Sequence, residues 1–464
     1  MTSPTLSIVM PVLDEGTALA ARLDALAPLR VRGVELIVVD GGSSDDSWML
    51  ARPRVDRLLL APRGRAAQMN AGAAVARGEV LLFLHADTAL PAKADRLVLK
   101  AVQPAGQVAA VWGWFDVRID STHPMLRVIG AMMNLRSRLS GICTGDQALF
   151  VTREAFVRVG GFADQPLMED IDISRRLKRI GPPRALREPV RTSGRRWEQH
   201  GVWRTMLLMW RLRAEYFMGA DAAVLAQRYG YRAAPPLWPA CVAVMAKAPV
   251  PGQAKTRLIP ALGAWAAARA QRRFALDTLH LALQAAARMG TQVRWWAAPA
   301  ASQRFFRALQ RWMQQQRLPS IAGAPAAPVT WHDQPSGDLG ARMAQAFHVH
   351  FSAQPHTPLL LMGTDCPPLS PGHLLQAARA LAEHDAVLIP AEDGGYVLIG
   401  LGREAPEVFT NVDWSTDRVL AQTRERLRSA GLRWHELPAL WDVDTPDDWA
   451  RLRMSEPATR GGWR

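Results

Sequence analysis

Residues 38–45 have the sequence VVDGGSSD, in which an apolar run ends at Asp40 and two glycines follow. Residues 84–87, LHAD, repeat the arrangement, with an apolar approach to an acidic residue, here Asp87. Open α/β sheets bind their ligands outside the carboxyl ends of their strands. The two stretches therefore predict an α/β fold in which Asp40 and Asp87 lie at the ligand-binding edge of one sheet.

The sequence around these stretches alternates between short apolar runs and segments with helical spacing. The predicted strands are Leu6–Val12, Val34–Val39 and Val80–Leu84, and the predicted helices are Gly16–Ala27 and Arg65–Arg77. Apolar runs without polar alternation are typical of strands buried on both faces. Strands that alternate with helices predict a mostly parallel sheet with right-handed crossovers.

A second pattern of the same kind follows residues 233–240, AAPPLWPA, where three prolines end regular structure. Further strands are predicted at Cys241–Ala246, Val293–Ala297, Leu359–Met362, Ala386–Ile389 and Tyr396–Ile399. We therefore predict two tandem α/β domains. They cover residues 1–232 and 241–455, with a linker at 233–240 and a tail at 456–464.

Length and composition are those of a multidomain globular protein. The chain has 464 residues, 49% hydrophobic and 21% charged, which is enough for two or three domains with proper cores. Its three cysteines lack metal-type spacing, so a reducing, cytoplasmic compartment is expected. The net charge of +14 comes from dispersed basic residues. It indicates either a solvated surface or attraction to anionic nucleotides, nucleic acid or membranes, and no specific nucleic-acid site is predicted.

Membrane contact is left open by the sequence. No stretch reaches the roughly 18 apolar residues that span a bilayer, and residues 1–5, MTSPT, lack the basic region of a signal peptide. Residues 202–213, VWRTMLLMWRLR, combine Trp, Met and Leu with arginine. This composition is typical of an interfacial helix, here at the inner face of the membrane, and equally of a helix packed on its own domain.

Two later stretches carry candidates for acceptor chemistry. Residues 145–147, GDQ, place Asp146 and Gln147 on the predicted acceptor side. Residues 169–180 are predicted to be helical, with Glu169 and Asp170 in the first turn, where the helix dipole favours ionised carboxylates. The pair fits either helix capping or a general base that takes a proton from an acceptor hydroxyl.

In this order, the motifs of residues 4–230 resemble the family 2 glycosyltransferases of the GT-A type. The resemblance implies a GT-A, Rossmann-like fold and the transfer, with inversion, of a sugar from a nucleotide-sugar to the hydroxyl of a small-molecule or lipid acceptor. It implies that Asp87 binds Mg²⁺ or Mn²⁺ and that Asp170 is the base. The predicted nucleotide contacts of this domain are Pro11, Asp14, Glu15, Asp40, Arg65 and Arg196.

Two positions depart from that family's motifs. His85 stands where the family has the first aspartate of its Asp-x-Asp motif, and a neutral imidazole can still hold a metal or a phosphate oxygen. Ser193 stands where a Gln-x-x-Arg-Trp motif has its glutamine, so only Arg196 and Trp197 match. An arginine at this position can stabilise a departing diphosphate.

In the second domain, residues 247–258, KAPVPGQAKTRL, form a basic loop directly after a predicted strand. The loop suits a di- or triphosphate, because its glycine permits close backbone approach and its basic residues supply charge. The predicted contacts are Lys247, Gly252, Lys255, Thr256 and Arg257. The spacing is not that of a Walker A loop, and a basic solvated turn is the plain alternative.

Three acidic motifs follow: GTDCP at residues 363–367, DGGY at 393–396 and DVDTPDD at 442–448. Asp365 with Asp442 or Asp444 could converge on one metal ion. Asp393 and Gly394 would form the floor of a nucleotide pocket. The last motif is also typical of a capped helix start.

Residues 241–452 resemble GT-A-like transferases related to the nucleotidyltransferases of molybdopterin and deazaflavin cofactor synthesis. That resemblance implies that the basic loop binds a nucleoside triphosphate and that Asp365 and Asp444 bind Mg²⁺. Both halves also resemble two bacterial transferases associated with a radical-enzyme pathway for arsenosugars. Together the resemblances predict a bifunctional transferase. The alternatives are a carboxyl-terminal nucleotide-binding regulator without turnover, and a basic adaptor for nucleic acid or membrane.

Overall fold

The structure is a computed structural model that describes residues 5–103, 109–231, 236–299, 305–308, 311 and 327–456. The chain divides into two compact units. The first comprises Met1–Gly41 and Arg54–Ala234, and the second comprises Gly42–Pro53 and Pro235–Arg464. Residues 42–53 thus group with the second half of the chain, although they lie within the first half of the sequence.

The first half of the chain begins with strands that alternate with helices. Its elements are β1 (Leu6–Val12), α1 (Ala18–Ala25), α2 (Ala27–Val31), β2 (Glu35–Asp40), α3 (Ser47–Ala51), β3 (Arg57–Leu60), α4 (Arg65–Val75), β4 (Val80–Phe83), β5 (Thr88–Ala89), α5 (Ala94–Val102), β6 (Trp112–Asp120), α6 (Pro124–Ser140), β7 (Phe150–Thr152), α7 (Arg153–Arg158), α8 (Glu169–Lys178), β8 (Arg184–Ser193), α9 (Arg195–His200), α10 (Val202–Phe217) and α11 (Ala222–Arg228). Of these, α3 belongs to the second unit.

Within the described residues of the first unit, eight strands form one sheet in the order β3-β2-β1-β4-β7-β6-β8-β5. Strands β3, β2, β1 and β4 are parallel neighbours. Strand β7 runs antiparallel to β4 and β6, and β5 runs antiparallel to β8. The parallel half brings the carboxyl ends of β1, β2 and β4 to one edge of the sheet, where ligands bind in open α/β sheets.

The core on one face of this sheet lies under α4, α7 and α8. Val39 and Phe83 of the strands join Met69 of α4 and Ile173 of α8 in one buried cluster. Helix α4 approaches the sheet closely at Gly72, where an added Cβ would overlap the side chain of Val9. Only glycine permits this approach, so the position of α4 depends on that residue.

The second unit repeats the strand-and-helix plan. Its further elements are β9 (Cys241–Lys247), α12 (Ile259–Leu262), α13 (Ala264–Met289), β10 (Val293–Ala298), β11 (Val329–Asp333), α14 (Leu339–Ala353), β12 (Leu359–Met362), α15 (Pro371–Ala380), β13 (Ala386–Pro390), β14 (Tyr396–Leu401), α16 (Val419–Ser429), β15 (Trp434–Glu436) and α17 (Pro446–Ser455). Its described strands form one sheet in the order β11-β10-β9-β12-β14-β13-β15, in which β14 is antiparallel to both neighbours.

Helices cover both faces of the second sheet, as a continuous apolar strand requires. Successive side chains of a strand point to opposite faces. Val242 and Val244 of β9 join a core cluster with Leu279 of α13. Cys241 and Ala243 join a different cluster, together with Phe347 of α14. The second sheet therefore has a buried core on each side.

The predicted α/β class is confirmed, since both units contain a mixed, mostly parallel sheet. The strands predicted at Leu6–Val12 and Leu359–Met362 have the bounds that the structure gives them. The helix predicted at Gly16–Ala27 is wrong as one element, because the structure divides this region into α1 and α2. The segment 202–213 lies in α10, which buries Leu212 and leaves Trp203 61% exposed.

No helix among the described residues has the length and apolar character needed to cross a bilayer.

Candidate functional site

The carboxyl ends of parallel strands position the candidate residues of the first unit. Asp40 ends β2, is buried and lies beside Val12 of β1 in the sheet register. His85 and Asp87 follow β4. Of the residues predicted at the end of β1, Pro11 is buried, Asp14 is exposed and Glu15 is half-buried. The sheet therefore gathers these candidates at the edge that the sequence predicts.

A buried glutamine that the sequence did not single out fixes the ends of β1 and β2. Nε2 of Gln68, in α4, donates to the carbonyl oxygen of Val12 at 2.8 Å and to that of Val39 at 2.8 Å. Gln68 is 3% exposed. Because one amide group bridges both strands, the end of β1 is held next to the backbone that leads into Asp40.

A cavity of about 430 Å³ in the first unit contains most of the predicted catalytic and metal-binding residues. Its charged and polar lining includes Arg65, His85, Asp87, Asp146, Glu169, Asp170, Thr192 and Ser193. The rest of its wall comes largely from α6 and α10. Such a volume lies within the range of small-molecule sites in proteins.

His85, Asp87 and Asp146 form a candidate metal group in this cavity. Each offers one ligand atom, and these atoms lie within 4.8 Å of one another. His85 Nδ1 is 3.4 Å from Asp146 Oδ1. His85 is 7% exposed, and its Nε2 has no hydrogen-bond partner among the described residues. A buried imidazole with an unpaired nitrogen beside two carboxylates fits a divalent cation.

The short antiparallel pairing of β5 with β8 holds Asp87 in position. The backbone N–H of Ser193 donates to the carbonyl oxygen of Asp87 at 3.2 Å. The Thr88 hydroxyl lies 3.3 Å from Asp87 Oδ1 and also 3.3 Å from Thr192 Oγ1. These contacts fix the carboxylate of Asp87 relative to β8.

The structure divides the two residues predicted on the acceptor side. Asp146 faces the cavity as part of the candidate metal group. Gln147 is fully buried, and its Oε1 accepts from the Ser137 hydroxyl at 2.8 Å and from the Thr144 backbone N–H at 3.0 Å. The amide of Gln147 closes a capping box inside the loop, and its placement on the acceptor side stays a prediction.

Gly145 connects the candidate metal group with the candidate base. Its backbone N–H donates to Asp170 Oδ2 at 3.0 Å. An added Cβ at Gly145 would overlap Cε1 and Nε2 of His85, so only glycine fits against the imidazole. Asp170 Oδ1 accepts from the Ile171 N–H at 2.8 Å in the first turn of α8. Both carboxylate oxygens are thus oriented by backbone donors.

Burial and neighbouring charges perturb two acids of the first unit, Glu169 in the cavity and Glu15 near Asp87. Burial, followed by the charge of Asp170, raises the pKa of Glu169, and Arg65 opposes this effect. Burial, and next the charge of Asp87, raises the pKa of Glu15. The positive charge of Arg195 opposes this rise. Shifted acids next to a cavity are typical of functional sites.

The Arg-Trp segment after β8 lies at the same cavity. Trp197 lines it, and the charge of Arg195 acts on Glu15. The side chain of Arg196, predicted to contact nucleotide, lies outside the described residues. Its role therefore stays a prediction.

In the second unit, Lys255 joins the predicted acidic residues. Its Nζ donates to Asp365 Oδ2 at 2.8 Å, to Asp444 Oδ1 at 2.8 Å and to the Val443 carbonyl oxygen at 2.7 Å. The Lys255 side chain is 7% exposed. Arg257 reaches Asp444 Oδ2 at 3.2 Å from a largely exposed position. The basic loop and two acidic motifs, far apart in sequence, therefore meet.

The remaining predicted residues of this unit lie at a strand end, in loops or in a short helix. Lys247 ends β9, Gly252 has a φ of 81°, Thr256 begins a short 3₁₀ helix, Asp393 is exposed, and Gly394 has a φ of 90°. Gln271 links two of these loops, since its Nε2 donates to the Lys247 carbonyl oxygen at 3.0 Å and to Thr364 Oγ1 at 3.1 Å.

The predicted metal site of the second unit stays a prediction. Among the described residues, the candidate group of three close ligand atoms is that of His85, and Asp365, Asp442 and Asp444 form no such group. The ammonium of Lys255 instead occupies the position between Asp365 and Asp444. A buried cation from the chain itself already neutralises these carboxylates.

Asp442 gives the second unit a testable pH dependence. Burial, and next the charges of Asp365, Asp393 and Asp444, raise the pKa of Asp442 from 3.8 to about 7. Between these values the folded chain binds more protons than the unfolded chain, so the free energy of unfolding falls as pH rises. Asp442→Asn should remove this slope and gain stability relative to the wild type as pH rises.

Chemical denaturation of the two proteins at several pH values between about 4 and 8 would measure the difference. The slopes of the free energy of unfolding against pH should differ between the two proteins by no more than about 1.4 kcal/mol per pH unit, the limit for one proton. Asp447→Asn, at an exposed position of the same motif, is the matched control. Parallel stability curves for wild type and Asp442→Asn would contradict the prediction.

Comparison with known proteins identifies the first unit. Residues 7–163 match the family model described as Glycosyl transferase family 2. The chain contains a glycosyl transferase family 2 domain. A PGL/p-HBAD biosynthesis glycosyltransferase of Mycobacterium bovis is 37% identical over 170 residues, which are 35% of this chain and 64% of that relative. The chain thus spans less than two thirds of the length of this curated relative.

Two solved structures are also similar to this chain. A crystal structure of a candidate nucleotide-diphospho-sugar transferase from Desulfovibrio desulfuricans G20 is 32% identical, with a TM-score of 0.38, and the match covers 44% of this chain and 82% of that one. A mannosyltransferase from Pyrobaculum calidifontis, in complex with GDP-mannose and Mn²⁺, is 17% identical, with a TM-score of 0.35. That match covers 68% of this chain and 85% of the other.

The second unit matches a different family. Residues 278–416 match the model described as Uncharacterized protein conserved in bacteria (DUF2064). The match runs from within α13 past β14 and includes Asp365, Asp393 and Gly394. It contains neither Lys255 nor Asp442 and Asp444. The predicted relation of this unit to nucleotidyltransferases, and of both units to arsenosugar synthesis, stays a prediction.

Proposed function

We propose that the glycosyl transferase family 2 domain transfers a sugar from a nucleotide-sugar to an acceptor hydroxyl with inversion at the anomeric carbon. The observation that carries this proposal is the presence of the His85–Asp87–Asp146 group and Asp170 in one cavity. Direct displacement needs a base at the acceptor and a positive partner for the leaving diphosphate. The cavity offers candidates for both.

The donor side of this site would hold the nucleotide diphosphate. His85, Asp87 and Asp146 fit a divalent cation, as their close ligand atoms and the buried, unpaired His85 Nε2 indicate. When bound, Mg²⁺ or Mn²⁺ would neutralise the charge of the diphosphate. Arg65 lines the same cavity and would add a fixed positive charge. The strand-end residues Pro11, Asp14, Glu15 and Asp40 would contact the nucleoside.

The acceptor side would depend on Asp170. Its carboxylate is held by the Gly145 and Ile171 N–H groups and borders the cavity, so it can receive the proton of an acceptor hydroxyl. Glu169 is buried, and the raised pKa of this acid makes it a weaker candidate for an ionised base. We therefore assign the proton transfer to Asp170 and an electrostatic role to Glu169.

We further propose that the second unit is a nucleotide-dependent transferase, nucleotidyl or glycosyl. Lys255 and Arg257 would provide the phosphate-facing charge, and the acids around Lys255 would complete the site. Such a bifunctional chain would serve one small-molecule glycoside pathway, as the arsenosugar resemblance implies, in the cytoplasm or at the inner face of the membrane. A second unit that binds nucleotide without turnover is the alternative.

Product analysis by mass spectrometry tests both assignments. The purified chain would be incubated with nucleotide-sugars, nucleoside triphosphates, sugar phosphates, and Mg²⁺ or Mn²⁺. We expect Asp87→Ala to reduce nucleoside diphosphate release by at least about a hundredfold, because several kcal/mol of charge stabilisation depend on that carboxylate. Pyrophosphate release should be lost only in Asp365→Ala, so each variant is the control for the other.

Different outcomes separate the two halves of the proposal. Release of nucleoside diphosphate by Asp87→Ala at the wild-type level would contradict the assignment of the first unit as a glycosyltransferase. Nucleotide binding without any product from the second unit would support the regulatory alternative. Nucleoside diphosphate release that is lost in Asp365→Ala would identify the second unit as another glycosyltransferase.

A further inference from the structure

The cavity of the first unit has an apolar half that sugar transfer alone does not require. Besides its acidic residues, the wall includes large apolar side chains from two helices, which also contribute Arg136 and Arg213. The apolar side chains are Ile129, Met132 and Met133 of α6 and Met206, Met209 and Trp210 of α10. A polar sugar or a free sugar phosphate would gain little from this surface, whereas a hydrocarbon would be removed from water by it.

The apolar half is continuous with the protein surface. Met132 and Trp210 line the cavity and are nevertheless 49% and 54% exposed. They therefore mark an opening through which a ligand longer than the cavity can extend. Methionine side chains are flexible and polarizable, and they adapt to apolar ligands of varied shape.

The outer faces of the same two helices carry exposed apolar residues at helical spacing. On α6 these are Val128, Leu135 and Leu139, and on α10 they are Trp203 and Leu207. The residues at 128, 132, 135 and 139 recur at intervals of three and four and so share one side of α6. An apolar ligand that leaves the cavity past Met132 would meet this surface next.

The charges on the two helices are mostly positive. Within their described residues, α6 and α10 carry six arginines and one acidic residue, Glu215. Glu215 is already paired with Arg211 at 2.8 Å. Basic and apolar side chains on the same helices favour ligands that combine a hydrocarbon with a polar or anionic end.

We propose that the apolar half of the cavity is an acceptor subsite for an amphiphilic alcohol. The hydroxyl of the acceptor would lie at Asp170, and its hydrocarbon body would lie between α6 and α10 and pass Met132 and Trp210. This inference rests on the proposed sugar transfer and specifies its acceptor class. The acceptor would come either from solution, as a dissolved amphiphile, or from a lipid bilayer.

Calorimetric measurement of the binding of n-alkyl β-D-glucosides tests the subsite, and it needs no knowledge of the donor. The glucosides are used below the concentrations at which they form micelles. Affinity should rise with chain length by about fourfold for each methylene that becomes buried. From methyl to octyl we expect a gain of at least about tenfold. Met209→Gln should lose most of this gain, because a buried amide replaces apolar surface at nearly the same length.

Met454→Gln is the matched control, since it is the same substitution at a methionine of α17 that is 87% exposed and does not line the cavity. It should keep the full chain-length effect. Equal affinities for methyl and octyl glucoside would overturn the proposal. An equal loss in Met454→Gln and Met209→Gln would also overturn it, because general adsorption to the surface would then explain the binding.

Sedimentation with phosphatidylcholine–phosphatidylglycerol vesicles distinguishes the two sources of acceptor. Co-sedimentation that Leu139→Gln weakens would support the subsite with a bilayer as the source. A chain-length effect without co-sedimentation would support it with a dissolved amphiphile. Turnover of nucleotide-sugar without any chain-length effect would remove the subsite and leave the proposed function intact. Chain-length-dependent binding without turnover of any donor would support the subsite and contradict the proposed sugar transfer.

Discussion

Asp170→Asn is expected to lower kcat for sugar transfer by about a thousandfold, within the range that a general base contributes. Asparagine keeps the shape of the side chain and an oxygen that can accept from the Gly145 N–H, now 3.0 Å from Asp170 Oδ2. It cannot take a proton from the acceptor. Donor binding should therefore survive while the chemical step is lost, and the KM for the nucleotide-sugar should change little.

Single-turnover measurements with nucleotide-sugar and acceptor would isolate this step. Asp172→Asn is the matched control, because Asp172 is also an acid in the first turn of α8 but pairs with Arg176. Its kcat should stay within a few-fold of wild type. Glu169→Gln should cost less than Asp170→Asn. Comparable losses in Glu169→Gln and Asp170→Asn would contradict the assignment of Asp170 as the base.

The parallel part of each sheet could be predicted because its signal is local. Strands such as Leu359–Met362 are apolar throughout, since helices cover both faces of the sheet. The strands beyond β4 in the first sheet were harder to predict. Strand β8, Arg184–Ser193, is polar and partly exposed, and its pairing with β6 is set by tertiary contacts rather than by its own pattern.

The candidate site shows the same difference between local and long-range information. Asp87 and Asp170 were found from strand-end and helix-start patterns that span a few residues. The participation of Asp146 in the metal group depends on the fold of a loop 59 positions after Asp87 in the chain, which no local pattern encodes. The apolar lining from α6 was missed for a related reason, because a helix with apolar residues is usually explained by packing alone.

In the second unit, the sequence indicated the residues but not their arrangement. Lys255 was assigned to phosphate and Asp365 and Asp444 to a metal, in separate roles. The structure joins all three in one ion cluster around the buried ammonium of Lys255. The pairing of opposite charges lowers the cost of burial for each of them, and sequence spacing carries no information on which partner each charge selects.

The second large effect is expected for Gly145→Ala, which should weaken Mn²⁺ binding by about 10- to 100-fold and reduce transfer in proportion. A methyl group at this position would overlap the His85 imidazole, so the ring must leave the position that it holds beside Asp87 and Asp146. The same shift would disturb the N–H that orients Asp170. One methyl group would therefore act on the candidate metal group and the candidate base together.

Calorimetric titration with Mn²⁺, beside a thermal unfolding curve, would separate this effect from simple destabilisation. Gly130→Ala is the matched control, because its added Cβ would meet nothing closer than 3.5 Å and alanine favours the helical conformation of α6. It should bind Mn²⁺ as the wild type does. If Gly145→Ala also retained wild-type affinity, His85 would not be a ligand, and metal binding would have to rest on the two aspartates alone. Loss of affinity at unchanged thermal stability would instead tie the metal to the imidazole, the residue at which this chain departs from the Asp-x-Asp motif of the family it resembles.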